Sequence, residues 1–152
     1  MRDSTTNFSN KEQDHIGYLN LIQGNIARMA GNSALMKGFA ATMIAAVLGM
    51  SVSESVQWYY IAISMIPVLA FIRLDIFYLQ RERQYRNLYN IVAENKYLNF
   101  KYTLDLNSPQ LKGYRDAIYK NTGFIKTMCS VSVWQFYIWF IALAVALIIF
   151  TA

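Results

Sequence analysis

The stretch Ile138 to Phe150, IWFIALAVALIIF, has no charged, amide or hydroxyl side chain, and its reading governs the rest of the chain. A helix that spans a bilayer needs about 20 predominantly apolar residues. Extended back to Val131, this stretch reaches that length. Two earlier segments come close, Ala34 to Val52 and Ser55 to Ile72, the first interrupted by Lys37 near its start. The sequence of 152 residues is 55% hydrophobic and 15% charged, against roughly 25% charged in a soluble domain. The expectation is an all-α membrane protein with three transmembrane helices and helical cytoplasmic extensions.

Charge placement then orients the chain. Only Ser53-Glu54 separates the first two apolar segments, whereas Arg73 to Lys126 holds ten of the 14 Lys and Arg and the stretch to Lys37 holds the other four. Cytoplasmic loops carry the excess of Lys and Arg. The N-terminus and central segment are therefore expected in the cytoplasm, and the C-terminus on the periplasmic or extracellular side. The organisation becomes a cytoplasmic amphipathic helix over 1–33, a transmembrane hairpin over 34–72 (34–52 and 55–72), a cytoplasmic segment over 73–130 and a third transmembrane helix over 131–150. Trp58, Tyr59 and Tyr60 fall at one interface, and Trp134, Phe136, Tyr137 and Trp139 at the other. No basic start followed by an apolar run opens the chain, so it is expected to begin at Met1.

Helical periodicity extends beyond the apolar segments. Ile16, Leu19, Ile22, Ile26 and Met29 recur at steps of three and four, so one helix is expected from about residue 12 through the first segment. After the second segment, Leu74, Phe77, Tyr78, Tyr85, Leu88, Tyr89 and Val92 keep the same spacing. Pro67 removes a backbone donor inside that helix and predicts a bend or a gate. Tyr97 to Leu106 alternates as a short strand or extended arm, Asn107-Ser108-Pro109 turns, and Gln110 to Lys120 forms a short helix before Gly123.

Asn25, Arg28, Asn32, Ser33 and Lys37 form a polar row entering the first segment. Folding about residues 53–54 sets Asn32 and Ser33 level with Asp75 and Arg73. Two readings fit: snorkelling cations with Asp75 paired to one of them, or a polar pore mouth. The pore reading predicts anion preference, since a ring of Arg28 and Lys37 sets selectivity by sign. A second stripe, of small residues at Gly31, Gly38, Ala45 and Gly49, suits close helix packing, and Asp75 faces the same hairpin.

Catalysis finds no footing in the sequence. There is one His and one Cys, no Gly-rich phosphate loop and no HExxH, so no metal, cofactor or nucleophilic site is expected. The net charge of +5 suits a phosphate-rich partner, lipid or nucleotide. Arg81, Arg83, Arg86, Lys96 and Lys101 alternate with Tyr85, Tyr89, Tyr97, Phe100 and Tyr102. That mixture fits either a positive-inside loop with an aromatic core or a surface that holds phosphates and stacks bases of a short single-stranded oligonucleotide.

Two motifs carry a resemblance. The first is Ile26, Arg28, Met29, Asn32, Ser33, Lys37 and Gly38 entering the first apolar segment; the second is Leu74, Asp75, Tyr78, Leu79, Glu82 and Arg83 leaving the second. From about Tyr18 to Phe150 the chain resembles the small membrane effectors of bacterial nucleotide-signalling anti-phage defence systems, the channel component of the Hailong system among them. The resemblance implies an inner-membrane ion channel that a nucleotide-type ligand gates or inhibits, the oligonucleotide being made by a partner nucleotidyltransferase. A homo-oligomer, taken as a tetramer, follows from size, because one three-helix chain cannot surround an aqueous pore and satisfy its backbone in lipid. The alternative is a non-conducting membrane anchor or accessory that recruits a cytosolic partner.

Overall fold

In the computed structural model, the structure describes residues 2–51, 58–94 and 103–151. All regular elements among them are helical: α1 (Arg2–Ser51), α2 (Trp58–Glu94), a 3-10 turn (Pro109–Tyr114), α3 (Arg115–Ile118), α4 (Phe124–Met128) and α5 (Val131–Thr151). The long α1 and α2 form where helical periodicity continues without a break. Pro67 is accommodated inside α2.

α1 and α2 run in opposite directions along each other, Ile22 meeting Leu88 and Val92 in one core and Ile44 meeting Val68 in another. The α1 positions that turn inward are Tyr18, Ile22, Asn25, Ser33, Ala40, Ile44 and Val47. These keep the 3.6-residue period of a straight α-helix over its whole buried length. In the first core, Leu106, Leu111 and Ile118 close over Tyr18, Ile22, Leu88 and Val92. In the second, Val133 and Tyr137 of α5 pack on Ala40, Ile44, Val68 and Ile76. Between the cores lies a polar layer that includes buried Asn25, Ser33, Asp75 and Glu82.

A polar row on α2 fastens the connection that precedes α5. Gln80 Nε2 donates to the Thr122 carbonyl at 2.9 Å, Arg83 to Ser130 Oγ at 2.7 Å, and Asn87 Nδ2 to the carbonyls of Ile118 and Lys120 at 2.8 and 3.0 Å. Asn121 turns the chain there with φ 62°, a left-handed conformation that Asn tolerates better than most residues.

The three-span expectation is corrected. Among the described residues, no helix is long and apolar enough to cross a membrane. In the 34–52 segment, Lys37 and Thr42 interrupt the apolar run, and Arg73 closes that of the 55–72 segment. The 131–150 segment is α5, whose first seven residues carry Ser132, Gln135 and Tyr137. The turn at 53–54, the side chains of Trp58 and Tyr60, and residues 95–102 of the expected strand or arm lie outside the described residues. Its described end, Thr103 to Leu106, is irregular rather than strand. Tyr18 and Tyr85 hold it by donating to the Thr103 and Leu104 carbonyls at 2.5 and 3.1 Å.

Leu88 is fully buried and joins α1, α2 and the 106–118 segment. Leu88→Ala is expected to lower unfolding free energy by about 2 to 5 kcal/mol, whereas exposed Leu21→Ala stays within about 0.5 kcal/mol. Urea unfolding followed by circular dichroism measures both.

Candidate functional site

Ser33 and Lys37 stand one turn apart on α1, a spacing that sets both side chains on one face. That face meets Asp75 of α2. Lys37 Nζ lies 2.7 Å from Asp75 Oδ1 and 3.0 Å from Ser33 Oγ, and the Ser33 hydroxyl donates to the same carboxylate oxygen. The Asp75 side chain is 0% exposed and that of Lys37 16%. A carboxylate so far from water requires a partner charge and a donor, and the cluster supplies both.

The other carboxylate oxygen faces a different situation. Asp75 Oδ2 and the Tyr137 hydroxyl are both buried without a hydrogen bond of sound geometry, although the carboxylate's charge reaches the phenol. Burial first, and then Asp75, raise the Tyr137 pKa above the ordinary tyrosine value. The cluster thus links α1, α2 and α5.

The remaining residues of the polar row go elsewhere. Asn25 is buried and accepts from Arg28 at 2.5 Å, Arg28 is exposed and Asn32 is half-buried. Arg73 lies over the Phe124 ring at 4.6 Å and not against Asp75. Gly31, Gly38, Ala45 and Gly49 are exposed, and a Cβ at any of the three glycines would meet nothing within 4 Å. That stripe faces away from α2.

The basic residues of α2 diverge. Arg81 lines a cleft of about 310 Å³ with Phe77, Tyr78, Tyr85, Asp105 and Asn107; its guanidinium sits 5.5 Å from the Phe77 ring centroid and 3.2 Å from Gln84 Oε1. Arg83 bonds Ser130, and Arg86 pairs with Glu82 at 2.5 Å while 61% exposed. One arginine of the three therefore reaches the cleft. Lys96 and Lys101 lie outside the described residues. Sequence reading missed Tyr137, Asp105 and Asn107 as neighbours of these groups; only Tyr137 had a signal, a hydroxyl directly before the uninterrupted apolar run Ile138 to Phe150. Among the described residues, no three of His, Cys, Asp and Glu gather closely enough to hold a metal ion.

Lys37→Met strands the Asp75 charge and is expected to cost about 3 to 5 kcal/mol, while Lys37→Met with Asp75→Leu recovers most of that loss. Chemical denaturation of the single and double variants reads the difference. The raised Tyr137 pKa means that folding favours the neutral phenol. Its contribution is complete below the ordinary value of about 10 and is lost as pH rises through the raised value. Alkaline unfolding of Tyr137→Phe is accordingly expected to be shallower than that of the parent chain.

Comparison with protein-family models, with curated proteins and with solved structures finds no match for the chain.

Proposed function

We propose that this chain acts at the bacterial inner membrane as a self-associating effector that passes ions, in the manner of the anti-phage defence proteins it resembles. The observation that supports membrane action is the apolar surface left open on α2 and α5. Ile63, Ile66 and Leu69 on α2 and Trp139, Ile141, Val145 and Ile149 on α5 are all exposed. Contiguous apolar surface of this kind is covered in use by lipid or by protein. Ion passage in this reading belongs to an assembly of chains, taken as a tetramer, since among the described residues no single helix is long and apolar enough to cross a membrane.

Control enters at the cytoplasmic end of α2. The cleft beside Arg81 offers a cation and aromatic faces, which suit the phosphate and base of a nucleotide-type ligand, and Asp105 in the same cleft restricts how a phosphate approaches. The Ser33–Lys37–Asp75 cluster joins α1 to α2 and is the element whose rearrangement would carry the signal. The defence role and the partner nucleotidyltransferase rest on the resemblance alone.

One observation favours the second reading, a non-conducting anchor or accessory. Lys37 is paired with Asp75, which cancels the positive charge that an anion-selective ring of Lys37 would use. Planar-bilayer recording of the purified protein separates the two. The channel reading expects discrete conductance steps that short single-stranded oligonucleotides alter; protein bound to vesicles without conductance supports the anchor. Arg81→Ala is expected to weaken oligonucleotide binding severalfold while Arg86→Ala leaves it unchanged, measured by fluorescence anisotropy at low salt. Equal effects of both variants would remove the cleft from the reading.

A further inference from the structure

Resting on the membrane reading, we propose that α4 and the first turn of α5 form an interfacial plate that docks on an anionic lipid leaflet. The sequence from Phe124 to Trp134 leaves Phe124, Ile125, Met128, Val131 and Trp134 exposed, Ile125 at 74% and Val131 at 68%. Thr127 and Val133 are the buried positions that hold this run to the body of the protein. With five residues, α4 is far shorter than any span, and an amphipathic element of this kind lies in the interface without crossing it.

The charge beside the plate has one sign. Lys120 and Lys126 are exposed, and the exposed Arg73 guanidinium stacks on Phe124. No Asp or Glu occurs from Ala117 to Ala152. The nearest acid along the chain is Asp116, and Asp75, two residues from Arg73, is fully buried on Lys37. Lys126 gives one hydrogen bond to Asn121 Oδ1 at 2.7 Å, and an ammonium has three donors, so two remain for a phosphate oxygen. Apolar side chains, a Trp suited to headgroup depth and flanking cations match a leaflet that carries negative headgroups.

The plate is also held in advance of docking. Gln80, Arg83 and Asn87 tie the preceding connection and Ser130 to α2, so binding orders little new chain and loses correspondingly little entropy.

Co-sedimentation of the full chain with vesicles of phosphatidylcholine alone, and of equimolar phosphatidylcholine and phosphatidylglycerol, tests the proposal. The parent protein is expected to bind both, the anionic vesicles more than tenfold more tightly, with affinity falling as salt rises. Lys120→Gln with Lys126→Gln is expected to lose about fivefold per charge on anionic vesicles and nothing on neutral ones. Ile125→Ser with Trp134→Ser is expected to weaken binding to both, and circular dichroism confirms that each variant keeps its helices. Equal parental affinity for the two vesicles, or an unaffected lysine variant, overturns the anionic plate and leaves the membrane reading standing. Unchanged binding by the Ile125 and Trp134 variant also overturns the plate, and a concentration-dependent oligomer lost in that variant would assign the face to a second copy. Failure of the parent to bind either vesicle overturns the membrane reading, and the plate with it.

Discussion

The buried pair of Lys37 and Asp75 is the constraint around which the two long helices are arranged. Taking a carboxylate out of water costs several kcal/mol even after relaxation, and the Asp75 side chain is 0% exposed. The apolar cores on either side are permissive by comparison: sliding α1 along α2 would exchange one aliphatic contact for another. Such a slide would separate Asp75 from Lys37 and Ser33 and leave a naked buried charge. The pair therefore contributes less to net stability than to the choice of register, since a well-packed apolar replacement at such sites is often neutral. Tyr137 adds α5 to the same constraint, because its hydroxyl shares the buried space around the carboxylate.

A second polar device works at the other side of α2. Gln80, Arg83 and Asn87 recur at steps of three and four, so they project from one face of the helix. Each satisfies a group of the connection between Ile118 and Ser130. This connection is too short of regular structure to satisfy its own carbonyls, and α2 supplies the missing donors. The same helix thus holds Asp75 toward α1 and a row of donors toward the chain that leads into α5.

Much of the helical architecture was legible. The expected continuity from residue 12 through the first apolar segment appears as α1, that from the second apolar segment through Val92 as α2, and the helix expected over 131–150 as Val131–Thr151. The levelling of Ser33 with Asp75 also emerged from simple folding of the chain. The three spans did not: among the described residues no helix is long and apolar enough to cross a membrane, and Lys37 and Arg73 bound the apolar runs of α1 and α2. Ile22, Leu88 and Val92 are buried where the spacing put them, and the stripe departs only locally. Ile16, Leu74 and Phe77 are exposed, whereas Tyr18, Asp75 and Ile76 are buried, since apolar spacing locates a face only to within a residue when polar groups pair inside it. Arg81, Arg83 and Arg86 looked like one basic surface in linear sequence. On a helix of 3.6 residues per turn, Arg83 and Arg86 point about 200° and about 140° away from Arg81, and they find Ser130 and Glu82 instead.

The partition of side chains between inside and outside bears on how the chain is completed. Here the helix interface includes Asn25, Ser33, Asp75 and Glu82, while Leu35, Phe39, Ile66, Trp139 and Ile149 are exposed. The open glycines of α1 lie beside Leu35 and Phe39 on that helix, where nothing stands within 4 Å of an added Cβ. Asp75 Oδ1 is held by Lys37 and Ser33, so the α1–α2 interface beneath these outward side chains contains no isolated carboxylate charge. The pairing of Asp75 is then a precondition for the close approach of α1 and α2 rather than a separate feature: were the carboxylate unpaired, the two helices could not pack here without burying an uncompensated charge.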